Sequence, residues 1–132
     1  MVRLKQVILI RKDLKMRRGK EIAQGSHAAM AFLTEPLRQQ LNTSSEVNAS
    51  FILRPQEKAW LLAGNAKVCL RVNSEAELLE YHHQAQRAGL ISYLITDSGR
   101  TEFNGVPTHT ACAIGPDESE CIDRITGNLI PY

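Results

Sequence analysis

The sequence predicts an α/β sandwich packed around a small sheet, and three observations carry that prediction. First, four short, largely apolar runs (Leu4–Arg11, Ala66–Val72, Ile91–Ile95 and Thr110–Ile114) read as strands. Second, the segments between them carry helical spacing or helix-start signals, and strands alternating with helices imply a layered α/β arrangement. Third, 132 residues with 43% apolar and 23% charged side chains supply one sizeable core, so residues 1–132 read as a single domain. Two cores would leave roughly 65 residues each, which is marginal without staples. Disordered and fibrous classes are excluded.

Taken in order, Val7-Ile8-Leu9-Ile10 flanked by charge reads as a central strand buried on both faces. Residues 12–19 are polar and form a loop. From Lys20 to about Leu33 there is no proline, and Ile22, Ala29, Phe32 and Leu33 recur at helical spacing. Gly25, Ser26, Ala28 and Ala29 make that helix thin, which permits close approach to a sheet. Pro36 ends it or starts a second helix. Asn42 to Ser50 is polar and reads as a mobile surface connection. Pro55 suits the first turn of a short helix through Ala63, stopped by Gly64. After the second strand, Ser74 and Glu77 form a capping box, and the helix they open ends at Gly89 in a left-handed cap. Asp117 is expected to cap a last short helix, closed by Gly127.

The apolar runs are too short to cross a bilayer, and Arg3, Lys5, Arg11 and Lys12 interrupt the first one, so neither a membrane span nor a secretory signal is read. Cys69, Cys112 and Cys121 form no CxxC pair, and His27, His82, His83 and His109 are scattered. This pattern does not supply a zinc site and fits reduced thiols in a cytoplasmic protein. The net charge of +2 is uneven. Residues 1–24 hold eight Lys/Arg against two acids, a local balance of +6. A basic segment on a near-neutral body points to one anion-binding face.

Gly19-Lys20 is not a phosphate loop: Leu14 stands where that motif needs glycine, and Glu21 where it needs Ser or Thr. What remains is a basic loop feeding a helix N-terminus, a favourable place for an anion or else a solvated loop. Ser26-His27 is no nucleophile–base dyad, because adjacent helical side chains diverge by about 100°. Lys20, Gln24 and His27, at i, i+4 and i+7, share one helix face, either lining a cleft or facing solvent. Asp97-Ser98-Gly99-Arg100-Thr101 follows the third strand and opens a long polar loop to His109, at the strand end where α/β sites gather; alone it also reads as a plain turn. Trp60 and Tyr81 read as core or interface, and His82-His83 as surface residues.

The string Asp13 to Lys20, then Ala23-Gln24-Gly25-Ser26-His27-Ala28, resembles the archaeal and eukaryotic-type peptidyl-tRNA hydrolase family. So do Asp97 to Thr101, Thr110, Ile114-Gly115-Pro116, and Ile122 to Gly127. The likeness is collinear over residues 4–34 and 66–132 and weak over 36–65. The resemblance implies a three-layer α/β/α sandwich around a small mixed sheet of about four strands, commonly as a homodimer. It implies hydrolysis of the ester between a peptide and the tRNA 3′ ribose, in translation, with no metal or organic cofactor. Lys20, His27, Asp97, Thr101 and Thr110 fall on the family's catalytic positions. Arg17, Arg18, Gln24 and Arg100 are the expected tRNA contacts. Two alternatives stay open at this point: a tRNA-binding module of the same fold without turnover, and an esterase for a small non-RNA substrate.

Overall fold

A computed structural model describes residues 2–132. Its elements run β1 (Leu4–Arg11), α1 (Arg18–Asn42), α2 (Pro55–Leu62), β2 (Lys67–Val72), α3 (Glu75–Arg87), β3 (Ser92–Asp97), β4 (Thr108–Glu118) and α4 (Ser119–Thr126), with one short 3₁₀ turn at Phe103–Gly105. The sheet order is β2-β1-β4-β3. β1 and β2 are parallel, whereas β4 runs antiparallel to both β1 and β3. The sheet is therefore mixed, and β1, β2 and β3 share one carboxyl-terminal end.

Strand alternation divides the core in two. Val7 and Leu9 of β1 join Leu70, Val72, Leu78, Cys112, Ile114 and Ile122 on the face covered by α3 and α4. Ile8 and Ile10 join Ala28, Ala111 and Ala113 on the face covered by α1. Small alanines on both α1 and β4 let that helix lie close to the sheet, as the thin-helix reading requires. α2 sits on the α1 side, where Phe32 meets Trp60 edge-on at 5.8 Å and Phe51 at 6.1 Å. The result is the expected three-layer α/β/α sandwich with four strands.

Several local expectations need correction. α1 continues through Pro36 to Asn42. Proline costs a helix one hydrogen bond and some strain, but Phe32 anchors the preceding turn against α2, and Leu37 to Leu41 are good helix formers. Ile22 lies on the solvent side, 63% exposed, and the buried stripe of α1 is Gln24, Ala28, Ala31 and Phe32. Asp117 belongs to β4, and Glu118 precedes α4 as its N-cap. His82 is buried rather than superficial: its Nδ1 lies 2.7 Å from Ser92 Oγ, which in turn lies 3.2 Å from Cys112 Sγ. Ser74 does cap α3, accepting from the Glu77 N–H at 3.0 Å, and Gly89 adopts φ +78°. The stretch 43–50 is exposed and outside any helix or strand.

Candidate active site

Three strand ends bring the site together. β1 leads through the basic loop into α1, whose first turns carry Lys20 and Gln24; β3 delivers Asp97 at its carboxyl end; and β4 starts beside it with Thr108 to Thr110. Lys20 Nζ donates to Asp97 Oδ1 at 2.8 Å and to Thr101 Oγ1 at 3.2 Å. The two charged side chains are only 14% and 12% exposed, so water screens their attraction weakly. Gln24 Nε2 reaches the same Oδ1 at 3.4 Å, and the Gly99 N–H donates to Oδ2 at 2.9 Å.

The hydrogen bond from the Lys20 ammonium, helped by the Gly99 amide, holds the Asp97 carboxyl below its usual pKa despite the opposing effect of burial. Asp97 is therefore an ionised acceptor at neutral pH. So strongly satisfied a carboxylate is a weak base, better suited to orienting a proton donor than to removing its proton. The loop geometry serves this arrangement. Asp97 and Gly99 close an Asx turn, and Gly99 has φ +82° with a hypothetical Cβ only 2.4 Å from the Val106 carbonyl oxygen. Only glycine fits there. Phe103 of the same loop packs against the α1-side core and lies 5.9 Å from Lys20 Nζ, capping the ammonium with its ring face.

Gln24, an expected tRNA contact, is only 3% exposed and lies beneath the ion pair. Its Oε1 accepts the hydroxyl proton of fully buried Thr110, so the side chain links Thr110 to Asp97. Thr110 reaches α1 through an irregularity in the ladder. Ile95 pairs with Ala111 but the next residue, Thr96, pairs with His109, leaving Thr110 as the extra residue of a bulge. Without it, period-two alternation would send Thr110 to the α3–α4 face with Cys112 and Ile114.

His27 is exposed and lines a cleft of about 450 Å³ with Gln24, Asp97 and Ser98. Ser26 points elsewhere, its hydroxyl bonded to the Ile22 carbonyl at 2.8 Å, as the helical geometry requires. Arg17 is 86% exposed and lies 3.5 Å from Glu102 of the loop; Arg18 and Arg100 are also exposed. Arg11 stands apart from the other basic residues. It is buried, clamps Asp13 at 2.6 and 3.1 Å, and donates to the His109 carbonyl at 3.0 Å. The free cationic rim therefore starts after it. Among the described residues, no three His, Cys, Asp or Glu side chains converge as metal ligands would, and no helix is long and apolar enough to cross a membrane.

Comparison with known proteins accounts for nearly all of the chain. The profile of the family described as Peptidyl-tRNA hydrolase PTH2 matches residues 4–132, including the weakly similar stretch 36–65. A peptidyl-tRNA hydrolase of Methanocaldococcus jannaschii is 38% identical over 126 residues, covering 96% of this chain and 97% of that protein. One from Methanopyrus kandleri is 44% identical, with 95% of each chain covered. A probable peptidyl-tRNA hydrolase 2 of Dictyostelium discoideum is 35% identical over 97% of this chain and 54% of its own length. Among solved structures, a protein of unknown function from Agrobacterium tumefaciens strain C58 superposes with a TM-score of 0.50 at 14% identity, covering 100% of this chain and 99% of that one, a likeness of fold alone.

Proposed function

The chain belongs to the Peptidyl-tRNA hydrolase PTH2 family, and from that premise we propose that its Lys20–Asp97 cleft cleaves the ester between a peptide and the 3′ ribose of tRNA, releasing free tRNA. The observation that carries this reading is the junction of the cleft with the basic rim: one cation pairs inside with Asp97 while Arg17 and Arg18, three and two residues earlier, stay exposed for phosphates. A small-molecule esterase has no use for that rim, and a binding module has no use for the weakly screened ion pair.

In the proposed reaction, Lys20 and the Thr101 hydroxyl face the scissile carbonyl and stabilise the oxyanion as a tetrahedral intermediate forms. Asp97 accepts a hydrogen bond from the attacking water and orients it, while anchoring Lys20. The carbonyl-to-water C–O bond forms, the bond to the ribose oxygen breaks, and the proton shed by water ends on that ribose hydroxyl. His27, on the cleft wall, carries it. Gln24 and Thr110 act through Asp97 as positioning residues, and Arg17, Arg18 and Arg100 hold tRNA phosphates. The same reading places the enzyme in the cytoplasm as a homodimer, its interface over the exposed apolar strip around Ile22 and Met30.

The direct test incubates purified protein with an N-acetylaminoacyl-tRNA and, separately, with the free aminoacyl-tRNA. Release of tRNA from the blocked substrate, slowed about 10²-fold or more in Lys20→Ala, is the expected outcome. A folded wild type that binds tRNA without cleaving it overturns the proposal in favour of the binding module.

A further inference from the structure

The cleft does not end at Asp97. It continues along α1 past Ala31 and Thr34 to Arg38, and its other wall is formed by five consecutive residues, Leu94 to Ser98. Consecutive residues of a strand point alternately to opposite faces, so a groove on one face would be lined by every second residue. A groove lined by four strand residues in a row, Leu94 to Asp97, with Ser98 just beyond, runs along the strand's edge. β3 is indeed the last strand of the sheet, bonded to β4 on one side only. Every second residue of an edge strand turns its N–H and C=O outward, here beside the groove.

We propose that the peptide moiety of the substrate lies in this groove as an added strand, recognised through its backbone by the open edge of β3. The proposal rests on the ester-hydrolase reading above and adds to it where the acyl half binds. Two features of the molecule favour this occupant. An ester carbonyl carries its acyl and alkoxy groups on opposite sides. Arg17 and Arg18, exposed and suited to the tRNA half, lie before Lys20 at the amino-terminal end of α1, whereas the groove leads from Asp97 toward the carboxyl-terminal end of that helix, where Arg38 is paired with Glu35 at 3.2 Å. The span is also adequate. Gln24 to Arg38 covers about 21 Å of helix, the length of roughly six extended residues. The groove is walled by Ala31, Thr34, Glu35 and Arg38 of α1 and by the edge strand β3. Such a surface suits a ligand without fixed sequence, because main-chain hydrogen bonds supply affinity whatever the side chains are.

The test uses the wild-type protein and one tRNA carrying N-acetylated oligoalanines of one, two, four and six residues. Each backbone hydrogen bond gained contributes a few-fold, so kcat/KM is expected to rise by about tenfold or more from one residue to six. N-methylation of the peptide should remove the gain at alternate positions only, the signature of strand pairing. Replacing alanine by serine or valine should change the rate by less than the length does. Thr34→Trp, which fills the groove, should flatten the length dependence. A flat length dependence, or N-methyl effects without alternation, while N-acetylalanyl-tRNA is still cleaved, overturns the groove assignment and leaves the hydrolase reading standing. Failure to cleave any member of the series overturns the hydrolase reading and this proposal with it.

Discussion

Two buried polar clusters hang from β4 only two residues apart, and they have opposite characters. Around Thr110, the chain Thr110–Gln24–Asp97–Lys20 ends in an ion pair at the mouth of a cleft. Around Cys112, the chain Cys112–Ser92–His82 is sealed between the sheet and α3. Burial lifts the Cys112 thiol to about 12 and depresses His82 below its ordinary value. The second cluster is thus neutral and inert at pH 7, although a thiol, a hydroxyl and an imidazole in a row would look catalytic on a residue list. Proximity of nucleophile and base is not a site; a site also needs charge held where a substrate can reach it.

The comparison is broken most severely by removing the charges of the first cluster. Asp97→Asn should lower kcat for peptidyl-tRNA by about 10²-fold or more, with KM little changed, because the carboxylate that anchors Lys20 and the water is lost. Gln24→Leu comes next. It leaves the Thr110 hydroxyl buried and unpaired, costing about 1–3 kcal/mol of stability, and it should slow turnover about tenfold, whereas Gln24→Asn, which keeps the amide donor and acceptor, should recover part of the rate. Cys112→Ala, its counterpart in the sealed cluster, should leave kcat within about two-fold while lowering the melting temperature.

The legible part of this molecule is the local part. Ser74 and Glu77 announce α3, Gly89 its end, and the continuous apolar run of β1 its burial on both faces, because each signal concerns neighbours in sequence. The Asx turn at Asp97–Gly99 and the shared face of Lys20, Gln24 and His27 are local in the same sense, and they meet at the candidate site. What sequence could not reveal depends on distant partners. Pro36 is carried by Phe32 packing on Trp60, and Arg11 is taken out of the cationic rim by Asp13 and His109. The bulge that turns Thr110 toward Gln24 exists only in the pairing of β3 with β4. His82 is drawn inside by Ser92, ten residues on.

A pH experiment sharpens the contrast. His82 has a folded value below the ordinary 6.5, so above that value both folded and unfolded chains hold it neutral and its contribution to stability is complete. As pH falls below about 6.5, the unfolded chain takes up the proton first and stability declines until the folded value is passed. Asp97, depressed from 3.8, keeps its contribution through that whole window and loses it only in stronger acid. The wild type should therefore lose melting temperature between pH 7.5 and 5.5, and His82→Gln should lose less. The smallest effect is expected from the rim. Arg17→Ala with Arg18→Ala should flatten the salt dependence of tRNA binding by about one to two in log–log slope, leaving the fold untouched.

Whether Lys20 and Asp97 work as one unit on the ester is read from the single-turnover cleavage rate of N-acetylaminoacyl-tRNA at saturating enzyme for Lys20→Ala, Asp97→Ala and the double variant. Residues that act as a unit are strongly non-additive, so each single variant should fall about 10²-fold or more and the double variant should be no more than a few-fold slower than either. Near wild-type cleavage by either single variant, or a double variant slowed by the full product of the two, would contradict the account.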